Sequence, residues 1–514
     1  MSRSLNLKVS KILSRLADSK ELIGENPFKV IAIRKASATI KNLNDSLELI
    51  QNYQKIPGIG ISISEKISEI VLTGRLKEMD DLDERIPRSF WEFSKIRGLG
   101  IGSMKKLFMK KIFTYEKLKN LILQKDFDFF SKTQNENIRR GIKFYERNRG
   151  KFLLYEGYDL FSKIKKENPD FEFKKTGSLL RCDEVLDSIE VICICEKERK
   201  IKDLLEKFSG REKNGVIRGF YGKRNLDIFL SKKSNFGTVS LKTSSLEVHL
   251  KDIDLFESDS EKDIYKMNGY DFIPPELRIW GASEFKKKVP NLVDIDEIFS
   301  DMHMHTNQSD GINSIDEMVK ASAQRGYRRV AITDHSQAAS YAGGLKEDEL
   351  MNQYSYIKNK NWPIDVFSGT ECDILNDGSL DYEDAVLKKI DWVVASIHQN
   401  LEGDQTERVL KALENENINV LGHATGRRLL IRDGYHLDWS RVLDKLSQTD
   451  IGLEINGNPE RLDVDAKVAR EAARLGIKLS LNTDAHSINH LDFMEMALNQ
   501  ARRAGLERSS LLNL

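Results

Sequence analysis

Over the first 150 residues, apolar side chains recur at three- and four-residue spacing between short Gly/Pro breaks, which predicts helix after helix. From about residue 152 the pattern shortens to β-rich runs ("IEVICICE", "VIRGFYG", "LDIFLS", "LEVHL") between polar turns, predicting a mixed α/β unit. Residues 259–276 read as helical, "IPPELRIWG" breaks the pattern, and a linker runs to about 298. From 299 onward, strand-like runs ("RRVAITDH", "DVFSGTEC", "WVVASIH", "INVLGHA", "IGLEING", "IKLSLNTDAH") alternate with helical segments. That alternation predicts βα units around a parallel sheet or barrel.

At 514 residues the chain exceeds one hydrophobic core, and two to four domains are expected. No run of 18 apolar residues occurs, which argues against a membrane span. The opening "MSRSLNLKVSKILSRLADSK" reads as an amphipathic helix without a signal-peptide core. Four cysteines, with Cys193 and Cys195 inside a strand pattern, fit reduced core thiols and a cytoplasmic protein. The net charge of +1 conceals an asymmetry, because residues 1–150 carry 30 Lys/Arg against 18 Asp/Glu. A basic N-terminal portion points to a polyanionic partner.

Within that portion "IPGIGISISEKI" (56–67) is echoed by "IRGLGIGSMKKL" (96–107). Each copy places a Gly-apolar-Gly turn before a helix start, where backbone N–H groups suit a phosphate. Lys66, and Lys105 with Lys106, follow the glycine pairs Gly58/Gly60 and Gly98/Gly100. The two copies resemble helix-hairpin-helix motifs, which implies sequence-independent, salt-sensitive contact with the DNA backbone.

Six of the nine histidines stand at the ends of predicted C-terminal strands. "DMHMH" gives His303 and His305, which share one strand face, and Asp310 follows in the next loop. His335, Glu371, His398, His423, Asp484 and His486 end later strands, where βα barrels build their sites. Imidazoles mixed with carboxylates suit Zn, Mn or Fe rather than Mg alone, and nine donors imply two or three ions. A bridging carboxylate in such a centre serves attack of water on phosphorus.

The set is similar to the PHP (polymerase and histidinol phosphatase) domain, whose H-x-H, D-H, Glu, two His and D-x-H motifs all have counterparts here. The resemblance implies a distorted (βα)7 barrel with phosphoester-hydrolase chemistry, in which Glu371, Asp484, His303 and His305 are the catalytic candidates. Arg427 and Arg428, after His423, read equally as a substrate-phosphate clamp or as a solvated basic turn.

With its order of segments, the chain resembles the bacterial family X DNA polymerases that carry a PHP domain. "NPFKVIAIRKAS" and "VLTGRLKEMDDL" resemble that family's DNA-binding domain, "DIYKMNGYDFIPPELR" its thumb ending, and "TGSLL" its nucleotide-contacting Gly-Ser element. The implied plan is a helical helix-hairpin-helix domain (1–82), a helical fingers-like region (83–150), a nucleotidyltransferase palm (151–240), thumb and linker (241–297), and a PHP domain (298–514). The palm departs from the family at its chemistry. Counted from Gly177-Ser178, the D-x-D positions fall on Ser188 and Glu190, while Asp227 keeps the third Asp; of two arginines only Arg181 remains. The segment "KTSSLEVH" (242–249) also lacks the family's Phe and Gly. A β-bulge turning Asp187 inward is the available rescue, and Asp183 and Glu184 are expected in a solvated turn.

The expected function is therefore a DNA-repair protein that binds gapped, nicked or 3′-ended duplex without reading sequence. Its PHP domain would act as a metal-dependent 3′→5′ exonuclease or 3′-end phosphoesterase, with weak or absent polymerase activity and Mg used only if the palm is active. The resemblance implies a monomer. Alternatives left open are a gap-filling polymerase with an unusual metal site, a non-catalytic DNA-end scaffold, and a small-molecule phosphoesterase.

Overall fold

The computed structural model describes residues 2–41, 43 and 46–512, which divide into two compact units, Met1–Arg149 and Gly150–Leu514. In the first, the described helices are α1 (Ser2–Leu22), α2 (Pro27–Lys41), α3 (Ile61–Thr73), α4 (Lys77–Arg85), α5 (Ile101–Met109), α6 (Tyr115–Gln124) and α7 (Lys132–Asn148). Val9, Leu13 and Leu16 form one stripe of α1 and share a core with Val30 and Ile33 of α2 and Ile63, Ile67 and Ile70 of α3. A second core joins Phe90, Phe93, Leu107, Ile138 and Ile142. Burial of each such side chain is worth about 1.5–3 kcal/mol. The capping box of Ser131 and Gln134 starts α7. This helix passes so close to the second glycine turn that a Cβ on Gly141 would lie 1.9 Å from the Arg97 carbonyl oxygen.

The second unit opens with β1 (Phe152–Leu153), α8 (Leu154–Glu167), β2 (Glu172–Lys175), α9 (Gly177–Leu180), β3 (Val185–Leu186) and β4 (Ile189–Ile194). After these come β5 (Arg211–Lys213), β6 (Val216–Tyr221) and β7 (Arg224–Ser231). Here β1 pairs with β3, and the other five strands build a sheet of order β2-β4-β7-β6-β5, in which β4 and β7 run parallel and Glu190 is registered against Asp227. All four cysteines are buried free thiols.

The thumb-like segment differs from the 259–276 helix expected: the helix covers only Glu261–Met267, because Gly269 turns left-handed at φ +75° and Pro274-Pro275 follow. Arg278 is fully buried there and bonds both oxygens of Glu261, at 3.0 and 2.6 Å. His249 lies in the same core, bonded to the Trp280 carbonyl and the Tyr265 hydroxyl, each at 2.8 Å.

Seven parallel strands then form the barrel: β8 (Ser300–Met304), β9 (Arg329–Ile332), β10 (Asp365–Asp373), β11 (Trp392–Ser396), β12 (Val420–Leu421), β13 (Gly452–Asn456) and β14 (Leu479–Asn482). A parallel bridge between Met304 and Ala485, with His305 N–H donating to the Ala485 carbonyl at 2.8 Å, brings the last strand back to the first. The barrel is thus nearly closed, and every residue of β11, β12, β13 and β14 is buried. No described helix is long and apolar enough to cross a membrane.

Candidate metal centre

At the C-terminal ends of the barrel strands, eight side chains gather with the carboxylate of Glu371. Its Oε1 lies 2.7 Å from His423 Nε2 and 3.2 Å from His398 Nε2. Its Oε2 lies 3.0 Å from His335 Nδ1 and 3.4 Å from Nε2 of both His303 and His305. Asp484 Oδ1 is 3.2 Å from His305 Nε2, and Asp310 Oδ1 is 3.3 Å from His486 Nε2 and 3.6 Å from His335 Nε2. Three overlapping groups emerge whose donor atoms lie within 4.8 Å of one another: His305/Asp310/His335/His486, His303/His305/Asp484 and His335/Glu371/His398. His305 and His335 each belong to two groups, the arrangement of a multinuclear centre rather than of separate sites.

The donor set fits divalent cations. His305 Nδ1, His335 Nδ1, His398 Nε2, His423 Nδ1, Glu371 Oε2 and Asp484 Oδ1 are all buried without a hydrogen-bond partner. Orphaned buried polar atoms are costly, and so many at one place describe a site completed by an ion. The electrostatics agree. Burial opposes charge on His398, yet the carboxylates of Glu371 and Asp373 raise it to about 9. His305, buried and facing His486 and His335, is pushed down to about 4. Glu371 is drawn well below its ordinary range by the surrounding imidazoles, despite burial. The pocket holds carboxylates that demand positive charge and imidazoles that compete to provide it.

Four supporting residues escape the sequence reading. Glu454 on β13 accepts from His303 Nδ1 at 2.8 Å and from the His423 backbone N–H at 2.6 Å. Asp373 lies 3.1 Å from His398 Nδ1. These contacts fix the proton on Nδ1 and leave Nε2 of His303 and His398 facing the centre. Arg461, from the loop after β13, sets its Nε 3.2 Å from Asp484 Oδ2. Asp334, beside His335, stays out of the cluster and instead ties down Thr306, Ser309 and Gln353. A signal existed for Glu454 and Asp373: each is an acid near the end of an apolar strand, and Asp373 is two residues from Glu371, hence on the same face. Arg461 sits in a loop with no period to read.

Arg427 is not free for a substrate phosphate. Its Nη2 pairs with Glu184 Oε1 at 2.7 Å, and its Nε donates to the Arg461 carbonyl at 2.9 Å. Arg428 pairs with Glu460. The turn expected to be solvated is therefore engaged: Glu184 meets Arg427, and Asp183 meets Arg503 at 3.1 Å and Arg181 at 2.7 Å.

The palm-like sheet holds its three positions in a different state. Ser188 Oγ donates to Asp227 Oδ2 at 2.8 Å. Glu190 swings into the Gly-Ser turn, where its Oε2 accepts from the Ser178 backbone N–H at 2.7 Å and from the Ser178 hydroxyl. Gly177, at φ +57°, permits this, since a Cβ there would lie 2.2 Å from the Glu190 carboxyl carbon. Asp187 offers no rescue: its side chain is 79% exposed and faces Lys151 at 3.5 Å. Among the described residues, the groups of three or more potential ligands all lie in the barrel.

In the first unit Gly58 and Gly98 take left-handed φ of +80° and +89°, and Gly60 and Gly100 are the N-caps of α3 and α5. Space around Gly58, Gly60 and Gly100 is open. Lys66 is held 2.5 Å from Glu78, whereas Lys105 is half-exposed.

A family model described as a helix-hairpin-helix domain matches residues 4–76, and one described as a PHP domain matches residues 301–458. Fold and site thus define a chain that couples a helix-hairpin-helix region to a PHP barrel. Across nearly its whole length it is similar to the DNA polymerase/3′-5′ exonuclease PolX of Bacillus subtilis, with 30% identity covering 98% of this chain and 96% of that protein. The chain belongs to this family, the bacterial family X DNA polymerases with a PHP domain. Its C-terminal part is also similar to probable phosphatases of Clostridium acetobutylicum (29% identical, 39% of this chain and 84% of that protein) and Syntrophotalea carbinolica (27%, 41% and 90%).

Proposed function

We propose that this protein is a DNA-repair phosphoesterase that hydrolyses 3′ termini in its PHP barrel and extends them weakly or not at all in its palm. The observation that carries this reading is the gathering of eight other donors with Glu371, six buried atoms of the set being left unpaired. Two or three divalent cations (Zn, Mn or Fe) held by those side chains would supply Lewis-acid polarisation of the phosphoryl oxygens and activate water for attack on phosphorus. His305 and His335, shared between groups, would hold the cations together with Glu371, Asp310 and Asp484, and Glu454 and Asp373 bond His303 and His398 through Nδ1 and leave Nε2 for a cation. In the palm, Glu190 occupies the Gly-Ser turn and Ser188 supplies a hydroxyl where the family has a carboxylate, so an Mg pair lacks its charge.

The glycine turns at Gly58/Gly60 and Gly98/Gly100, with Lys66 and Lys105, would contact the backbone of gapped, nicked or 3′-ended duplex irrespective of sequence. The relative named as a 3′-5′ exonuclease supports the polarity. The protein would act as a cytoplasmic monomer.

The test places 3′-labelled gapped DNA with Mn²⁺, and separately with dNTPs and Mg²⁺. Release of labelled nucleotide that disappears in Glu371→Gln and His303→Ala is expected, together with weak or no primer extension. Robust extension, or undiminished release by both variants, defeats the reading.

A further inference from the structure

The barrel carries a largely buried cation whose pairing with Asp484 uses only part of its donors. Arg461 lies in the loop joining β13 to the following helix, with its side chain 16% exposed. One edge of its guanidinium is engaged, Nε lying 3.2 Å from Asp484 Oδ2. The other edge is not: Nη1 is buried and has no hydrogen-bond partner. Burial works against this charge, and the nearby carboxylates of Asp484, Glu371, Asp463 and Glu454 outweigh it. The loop that presents it is braced from outside, since Arg427 donates to the carbonyls of Arg461 and Leu462, while Arg461 N–H donates to the Asn458 carbonyl at 2.7 Å.

A buried guanidinium with a vacant donor beside a multinuclear donor set has a narrow range of uses. Neutralising Asp484 needs one edge only, and a lysine would serve as well. A fork with Nε paired and a buried Nη1 left without a partner suits an oxyanion, because guanidinium donors match two oxygens of a phosphoryl group. Pinning by Asp484 and bracing by Arg427 remove the rotamer freedom that binding would otherwise cost.

We propose that Arg461 binds the non-bridging oxygens of the phosphate being hydrolysed, the role that the sequence offered to Arg427 and Arg428. Those two are spent on Glu184 and Glu460. The assignment rests on the reading of the barrel as a phosphoesterase. It makes Arg461 a substrate-contacting residue that gains importance as charge develops on the phosphoryl oxygens.

The experiment uses the full chain loaded with Mn²⁺, as wild type, Arg461→Ala and Arg461→Lys. Three quantities are read: metal per chain by elemental analysis, affinity for inorganic phosphate by calorimetry, and kcat and KM on 3′-labelled gapped DNA. Metal content should be unchanged in Arg461→Lys, while phosphate affinity falls about tenfold or more in both variants and kcat falls about 10²-fold, the range for loss of one oxyanion donor. Added guanidinium ion should restore part of the Arg461→Ala rate and none of the Arg461→Lys rate. Unchanged phosphate affinity in Arg461→Lys overturns the assignment and leaves Arg461 as the counter-ion of Asp484. If Arg461→Ala does not fold, as judged by circular dichroism, Arg461→Lys still decides the matter. A wild type that binds phosphate but degrades no DNA defeats the proposed activity and not the role of Arg461 in phosphate binding.

Discussion

Ser188, immediately before β4, donates its hydroxyl to Asp227 of the parallel neighbour β7 at 2.8 Å. A hydroxyl there puts a hydrogen bond in place of the carboxylate–carboxylate repulsion that a two-ion site carries. Restoring Ser188→Asp should therefore set two carboxylates against each other and cost about 1–2 kcal/mol in chelator. Millimolar Mg²⁺ should recover most of that loss by binding the folded state. Thermal unfolding with EDTA and with Mg²⁺ measures both effects. A variant as stable as the wild type in EDTA and indifferent to Mg²⁺ shows that the palm no longer brings these positions together.

Glu454 holds His303 through Nδ1, and its other oxygen takes the His423 N–H. Glu454→Gln keeps the shape and removes the charge that fixes the His303 tautomer. Metal affinity or nuclease rate should drop about 10–100-fold, the usual effect of removing a partner behind a metal-facing histidine. Metal titration of the chelator-stripped protein checks this, with Asp373→Asn in parallel. Wild-type affinity in both variants contradicts the support assigned to them.

The two glycine turns differ in how free their lysines are. Lys66 is committed to Glu78 at 2.5 Å, while Lys105 is half-exposed on α5. Lys105→Ala should weaken binding to unrelated duplexes alike and lower the slope of log K against log salt by about 1. Lys66→Ala should change the slope less. Fluorescence anisotropy from 50 to 200 mM salt gives both slopes, and equal slopes for the three proteins would count against backbone contact at Lys105.

His249 yields a pH prediction away from the barrel. Burial, aided by the charge of Arg278, lowers its ring from 6.5 to about 4. The folded protein thus keeps it neutral where the unfolded chain takes up a proton, which favours unfolding. The stability it contributes is fully present above pH 6.5, declines as pH falls, and is gone below about pH 4, a change of about 3 kcal/mol. Denaturant unfolding of wild type and His249→Gln between pH 7.5 and 4.5 should show a shallower decline in the variant. Parallel curves would assign the acid sensitivity to other groups.

The architecture was legible because period survives in sequence. Alternating apolar runs and helices announced the barrel, and histidines just past apolar strands announced where side chains would meet. What stayed hidden depends on partners distant in the chain. Glu190 reads as a flawed metal ligand, and only the placement of β4 against the Gly177 turn makes it the acceptor for Ser178. Glu184 reads as a solvated turn residue until Arg427, 243 positions on, meets it. The expected helix over 259–276 was too long because Gly269 and the two prolines outweigh the apolar spacing.

The near-closure of the barrel through Met304 and Ala485 has a consequence for biogenesis. His303 lies in the first strand and His305 just after it, whereas Asp484 and His486 follow the last, so 179 positions separate His305 from Asp484. During synthesis the earlier donors emerge long before the later ones, and a three-donor group such as His303/His305/Asp484 cannot exist until the final strand has docked. Ion acquisition at that group is then a checkpoint on completion. A ribosome-stalled or C-terminally clipped chain would carry the histidines yet fail to load, and metal content would report whether the seam had shut.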